Sequence, residues 1–141
     1  MFFNYRKIAY VTLSVAAPAI GQTVSVGCFS TGTAGVCVDH IQTFCQSGQN
    51  ILPVGPQNTY ARCFNEDGYK CDLTAWNLLP SSSDGDVPSA VNCQTILDTI
   101  SEVCPQGGQG SITAGTFVFT LDPNEGSCGA DAIAGGLGSS T

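Results

Sequence analysis

Eight cysteines constrain this chain more than any other feature of its sequence. They are Cys28, Cys37, Cys45, Cys63, Cys71, Cys93, Cys104 and Cys128. An even number of cysteines in an exported chain predicts a disulfide framework, which here means four bridges whose pairing stays open. A metal site is disfavoured, because the closest cysteines are eight positions apart and His40 is the only histidine.

Residues 1–21 predict that the chain is exported. A basic Arg-Lys pair precedes an apolar run that ends in small residues, which is typical of a secretory signal peptide. Cleavage after Ala19 or after Gly21 fits this pattern, and we favour Gly21, so that Gln22 begins the mature protein. A retained anchor is the alternative, but the run over 8–20 is short for a bilayer span and is interrupted by polar residues. We therefore expect a secreted, extracellular protein without membrane insertion.

The length after the leader predicts a single domain. Residues 22–128 are expected to form one disulfide-stapled domain, and residues 129–141 a flexible C-terminal tail without periodicity. After the leader, only Arg62 and Lys70 carry positive charge, against eleven carboxylates, a net charge of −9. Such a surface repels phosphate backbones, so we expect neither nucleic acid nor an anionic membrane as a partner.

Hydrophobic periodicity predicts a small α+β fold. The predicted elements are a strand over 23–29, a helix over 35–46, a hairpin over 58–64 and 70–79, a helix after the loop 80–88, and a last strand over 117–121. The second helix is expected to take Asp86 as its N-cap. A glycine-rich connection over 105–111 and a turn at residues 122–126 flank the last strand.

Helix geometry limits how the cysteines can pair. The two cysteines of the first helix are about 12 Å apart along its axis, and those of the second are about 16 Å apart. Both separations exceed the reach of a disulfide. We therefore expect each helix to be stapled to the sheet and not to itself.

The hairpin register divides its residues between two faces. If Phe64 pairs with Lys70, then Cys63 lies opposite Cys71. One face then carries Tyr60, Arg62, Phe64, Lys70, Asp72, Thr74 and Trp76, while the other carries Ala61, Cys63, Cys71, Leu73 and Ala75. The cysteine-bearing face is expected to be the core.

Catalysis finds little support in the sequence. His40 stands alone, and the chain has no G-x-S-x-G elbow for a serine nucleophile. Glycosidase chemistry by a carboxylate pair stays an alternative, drawn from Glu66, Asp67, Asp72, Glu102 and Glu125. The glycines of 107–110 lack the lysine of a phosphate-binding loop. We therefore expect no catalytic residue, no cofactor and no metal.

Recognition of a sugar is the function that the hairpin face favours. Trp76, with Tyr60 nearby, would stack on the apolar face of a sugar ring. Arg62, Asp72 or Asn77 would hydrogen-bond the hydroxyls of the sugar. The alternative is that helices cover both sides of the sheet and bury Trp76 and Tyr60 as core aromatics; the sequence leaves this open.

Several segments together resemble a known family. They are "GCF" near the mature N-terminus, "ARCF", the helix "CQTILDTISEVC", and "PQGGQGSITAGTFVFTLDPNEGSC". Their order is similar to the small secreted cysteine-rich glycan-binding proteins of mushroom-forming fungi, whose type member is the mushroom lectin called Y-three. The resemblance covers residues 27–128. It implies an α/β sandwich with an antiparallel sheet between helices, carbohydrate binding without a cofactor, and a homodimer formed through sheet edges.

The sequence and the resemblance together predict a secreted, non-catalytic, lectin-like protein. Its partner would be an oligosaccharide or glycoprotein on a cell surface. The alternative is a secreted effector, toxin or inhibitor that acts on a protein target, because small disulfide-stapled folds serve such functions as well.

Overall fold

The computed structural model describes residues 8–11, 22–50 and 53–129, as an antiparallel sheet backed by two helices. The elements are β1 (Ile8–Val11), β2 (Val24–Phe29), α1 (Val38–Gly48), β3 (Thr59–Asn65), β4 (Tyr69–Asn77), α2 (Ala90–Val103), β5 (Gly108–Ile112) and β6 (Phe117–Glu125). The strand order is β1-β2-β5-β6-β4-β3, with every neighbouring pair antiparallel. This confirms the predicted α+β class. β1 lies inside the predicted leader; the rest of the leader and the tail from 130 onward lie outside the described residues.

One face of the sheet, here called the inner face, forms the core. Its buried side chains include Val24, Val26, Tyr60, Leu73, Ala75, Ile112, Phe119 and Leu121. α2 crosses the middle of this face so closely that a Cβ on Gly110 would lie 2.7 Å from Cγ2 of Ile96. α1 packs beside α2 on the same face, where the ring of Phe44 stacks on that of Tyr60 with centroids 5.0 Å apart.

The opposite face, here called the outer face, carries no helix in the part of the chain that the structure describes. This differs from the sandwich with helices on both sides that the family resemblance implied. The outer face is polar, and its strand residues are mostly half-buried or exposed. Antiparallel sheets commonly leave one face to solvent in this way.

Four disulfides tie these layers together, and the described residues contain no free cysteine. The bridges are Cys28–Cys104, Cys37–Cys71, Cys45–Cys93 and Cys63–Cys128. Cys28–Cys104 joins the end of α2 to β2, and Cys37–Cys71 joins the start of α1 to β4. This confirms that each helix is stapled to the sheet. Cys45–Cys93 joins the two helices to each other, a connection that the sequence did not predict.

The β3–β4 hairpin forms as predicted, but its predicted register is wrong by one residue. Phe64 pairs with Cys71, and Asn65 pairs with Lys70. The cause is the loop of residues 66–68, which has three residues and ends in Gly68 at φ +84°, whereas the pairing of Phe64 with Lys70 would leave five residues between them. Loops of this kind end in a left-handed glycine that forms a bulge. A shift of one residue exchanges the faces of one strand relative to the other.

The C-terminal third corrects two further predictions. The glycine-rich segment that was expected to be a connection forms the strand β5. β6 continues through Pro123 to Glu125, beyond the predicted strand end. Pro123 is tolerated because β5 begins at Gly108, opposite Leu121, and leaves that edge of β6 without a strand partner there.

The start of α2 also differs from the prediction. Ser89, and not Asp86, caps the helix: the Ser89 hydroxyl accepts a hydrogen bond from the backbone N–H of Asn92 at 3.4 Å. Asp86 instead accepts a hydrogen bond from the Thr116 hydroxyl at 2.6 Å. Its carboxylate thereby ties the loop before α2 to the β5–β6 turn.

Candidate functional site

The corrected register separates the five residues predicted to bind a sugar. Trp76 and Asp72 lie on the outer face, because they belong to the alternate row of β4 that does not enter the core. Tyr60, Arg62 and Asn77 lie on the inner face, beneath the helices. The predicted cluster therefore does not form, although its aromatic member and one carboxylate share a surface.

Tyr60 and Arg62 support the packing of α1 on β3. Tyr60 is 4 % exposed, and burial raises the pKa of its hydroxyl above 10.0, while the nearby guanidinium of Arg62 opposes the shift. Arg62 donates from Nη1 to the Ser47 hydroxyl at 2.5 Å and lies over the Phe64 ring, 5.4 Å from its centroid. Both side chains are thus used within the fold.

Asn77 is fully buried and also has a structural role. Its Nδ2 donates to the carbonyl of Val54 at 2.8 Å, and its Oδ1 accepts from the backbone N–H of Leu79 at 2.9 Å. A buried amide with both ends paired holds two loops together. It has no contact with solvent through which it could meet a sugar.

Trp76 is 42 % exposed and is not a core residue, so the alternative that buries it is wrong, although Tyr60 is buried as that alternative expected. Trp76 is the most exposed aromatic side chain among the described residues. It stands between Thr59 on β3 and Val118 on β6. A flat, partly apolar platform with a hydroxyl-bearing neighbour, Thr59, is suited to stacking on a sugar ring.

Asp72 belongs to a polar network farther along the same face. Its Oδ2 accepts from Lys70 Nζ at 3.0 Å and from Asn124 Nδ2 at 2.9 Å. Lys70 and Asn124 pair directly across β4 and β6. They also line an open groove of about 840 Å³, together with Gly32, Thr33 and Glu125.

Asn124 and the groove around it were not predicted from the sequence. The signal was present, since Val118, Thr120, Asp122 and Asn124 continue the period of two along β6. The predicted strand nevertheless ended before Pro123, because proline ordinarily marks the end of a central strand. Lys70 was placed on the correct face, but without a partner on β6.

A second cavity lies on the helix side of the sheet, between the start of α2 and the β5–β6 turn. Its volume is about 160 Å³, with Phe117 and Phe119 at its base and Asp86 and Asn92 among its polar residues. Pockets for small ligands usually have volumes of roughly 300–1,000 Å³. The outer face, with its larger groove and exposed tryptophan, is therefore the better candidate.

The described residues show neither a cluster of possible metal ligands nor a helix of membrane-spanning length and hydropathy. They contain no group of three or more histidine, cysteine, aspartate or glutamate side chains that could hold a metal ion. His40, the lone histidine, stacks on Phe64 and contacts Glu66 Oε1 through Nε2 at 2.5 Å, which links α1 to the hairpin. In the same part of the chain, neither helix is long and apolar enough to cross a bilayer.

These features define a small recognition domain, in which disulfides and helices hold a rigid sheet whose free face is polar and bears a tryptophan. Comparison with known proteins identifies the family. Residues 36–128 match the family described as "Glycan binding domain Y3", and the chain belongs to this family. This confirms the resemblance seen in the sequence and makes the domain lectin-like.

A curated relative supports the same assignment. The chain is similar to "Antiviral protein CAP" of Coprinus comatus, with 36 % identity over 97 residues. The match covers 65 % of this chain and 90 % of the relative. The relative is thus matched over nearly its whole length.

Proposed function

We propose that the protein binds an oligosaccharide on a cell surface through the outer face, with Trp76 as its stacking platform and without catalysis. The observation that carries the proposal is the exposure of Trp76 on a polar sheet face. Large aromatics normally contribute to a core, so an exposed one on a rigid sheet is available for a ligand. Membership of a glycan-binding family supports sugar as that ligand.

A glycan array tests this proposal. Trp76→Ala should weaken binding by about tenfold or more, taking as a guide the stacking of nucleobases on aromatic side chains, which contributes about 1–3 kcal/mol per base. Trp76→Phe should retain part of the affinity, since it keeps a smaller ring. Val91→Ala is a matched control, because Val91 is 71 % exposed on α2, in the helix layer.

Thermal unfolding of each variant shows whether a lost array signal reflects lost binding or lost folding. The proposal requires that Trp76→Ala remains folded while its glycan signal is lost. Equal binding by wild type and by folded Trp76→Ala would refute the role of Trp76. Absence of any glycan signal from the folded wild-type protein would refute the function itself.

We also propose that the protein acts outside the cell, after cleavage behind Gly21. Four disulfides support this, because such bridges persist in oxidising compartments. N-terminal sequencing of exported protein should begin at Gln22. A first residue at or before Ile20 would contradict this cleavage site.

Dimerisation through a sheet edge is the remaining part of the proposal. β1 occupies one edge of β2, with Ile8 opposite Phe29 and Val11 opposite Val26. Loss of residues 1–21 would leave that edge unpaired, and unpaired edges readily accept another strand. Sedimentation of the mature protein should therefore give twice the monomer mass, and a monomer mass at high concentration would contradict this.

A protein target is the second candidate, because small disulfide-stapled folds also serve as effectors, toxins and inhibitors, and the name of the antiviral relative fits either kind of target. The two candidates differ in their response to deglycosylation of the target surface. Binding that survives enzymatic removal of glycans from target cells would favour a protein target. Binding that is lost supports the glycan.

A further inference from the structure

The outer face presents two parallel rows of side chains along β4 and β6. Directly paired residues are Lys70 with Asn124, Asp72 with Asp122, Thr74 with Thr120, and Trp76 with Val118. The rows begin at the groove beside Lys70 and end at Trp76. With about 3.3 Å per strand residue, these ends lie about 20 Å apart. This distance is longer than a single sugar ring, so the face has room for a chain of several sugars.

The groove end has free hydrogen-bonding capacity. Asn124 donates both amide hydrogens, one to Asp72 Oδ2 and one to the Asp122 carbonyl at 3.2 Å, which leaves its Oδ1 as an acceptor. Lys70 uses one donor on Asp72 and has two more. Donors and acceptors side by side match the hydroxyl groups of a sugar.

The charges at this end select against an acidic ligand. Lys70 is balanced by its ion pair with Asp72, while Glu125, which also lines the groove, adds a further carboxylate. An anionic sugar would meet a surplus of negative charge, which is repulsive at this distance. A neutral sugar chain meets no such penalty.

The segment Gly126–Cys128, here called the strap, directly follows Glu125, which is the last residue of β6 and part of the groove lining. β6 ends at Glu125, and Cys128 is bonded to Cys63 on β3, two strands away across β4. Two strand spacings amount to about 10 Å, so the strap must pass the end of β4 that carries Lys70. The backbone N–H of Cys128 also donates to Oδ1 of Asn65 at 2.7 Å, which fixes the end of the strap.

We propose that the groove at Lys70 and Asn124 is a second subsite for the same ligand, and that Trp76 and the groove together read an extended, neutral oligosaccharide. The strap, held by Cys63–Cys128, is a positioning element that forms one edge of this subsite. The inference rests on the proposed glycan-binding function. It adds the length and charge of the glycan and a role for one disulfide.

The test is a glycan array that carries neutral mono- to hexasaccharides and their sialylated counterparts. Lys70→Gln should weaken binding of the long neutral chains by about tenfold, since a hydrogen bond to a charged group contributes about that factor. Its binding of mono- and disaccharides, which reach only Trp76, should not change. Glu102→Gln is the control, because Glu102 is exposed on α2.

The strap is tested with Cys63→Ser/Cys128→Ser, which leaves the other three disulfides in place. This variant should lose the preference for long chains while its circular dichroism spectrum stays that of wild type. Should the pair not fold, Asn65→Ala, which removes only the hydrogen bond to the strap, should reduce the same preference. A retained preference in either folded variant would overturn the role of the strap.

The outcomes separate this inference from the proposed function. If no glycan binds wild type, the function and the second subsite both fall. If Trp76→Ala abolishes binding while Lys70→Gln lowers the affinity for all lengths equally, or for none, only the second subsite falls. Tighter binding of sialylated than of neutral chains would overturn the charge selection.

Discussion

Removing the bridge between the two helices should be one of the most destabilising changes to this protein. Cys45→Ala/Cys93→Ala deletes a disulfide that spans 48 residues of sequence. For a closed loop of that length, the chain-entropy relation gives about 14 cal/mol/K, or about 4 kcal/mol at 25 °C. This is a large part of the roughly 5–15 kcal/mol by which a domain is normally stable.

The other three disulfides lower the expected loss of stability only slightly. With Cys28–Cys104 intact, the shortest path through the unfolded chain from Cys45 to Cys93 is about 28 residues, and the same relation gives about 3.5 kcal/mol. Both sulfurs are buried, at 2 % and 1 % residue exposure, so the alanines also leave a small cavity that adds to the cost.

Urea unfolding at pH 7, followed by circular dichroism, measures this cost. The variant should lose about 3–5 kcal/mol of unfolding free energy. It should still bind glycans at a temperature where it is folded, since the bridge lies on the side of the sheet opposite Trp76. A loss below about 1 kcal/mol would refute the argument from chain entropy.

The remaining predictions concern titration and close packing. Although Asp98 is exposed, partial desolvation on α2 and the neighbouring Glu102 raise its pKa above 3.8, so its neutral form favours folding and this stability is lost as pH rises. Asp98→Asn should therefore raise the melting temperature at pH 7, with the gain shrinking below pH 4, and a constant gain would contradict this. Tyr60→Phe should lower the free energy of unfolding by about 1 kcal/mol at pH 7, because the hydrogen bonds of the hydroxyl are lost. Above pH 10 the tyrosine of the unfolded wild type ionises, so the difference in stability between wild type and variant should narrow. A difference that stays constant with pH would contradict the raised pKa of Tyr60. Gly110→Ala should cost about 1–3 kcal/mol in urea unfolding because its Cβ would lie 2.7 Å from Ile96, and a neutral effect would mean that α2 shifts freely.

Much of the fold could be predicted from the sequence, because local patterns carry it. The apolar stripe of the second helix predicted α2, and the turn residues around Gly68 predicted the β3–β4 hairpin. β5 could not be predicted, since its glycines make it look like a loop. They are required by the close approach of α2, a tertiary contact with no local signature.

The candidate site was only partly predictable, and the reason is the hairpin register. Trp76 and Asp72 were placed together correctly, because they belong to one strand and its period of two. Tyr60 and Arg62 lie on the partner strand, so a shift of a single residue in the register places them on the inner face. Asn124 was not predicted, because Pro123 normally indicates the end of a strand. Proline is tolerated in β6 because β5 begins at Gly108, opposite Leu121, and does not pair with this part of β6.

Trp76 is the only tryptophan of the chain, so its fluorescence reports directly on the surface that we propose binds the glycan. The measurement is a titration of the mature protein with a neutral oligosaccharide that gives an array signal, with iodide quenching recorded at each step. The account predicts a blue shift and a loss of quenching that saturate together, as the sugar covers the ring. Saturable binding of that oligosaccharide with no change in the emission or quenching of Trp76 would contradict it.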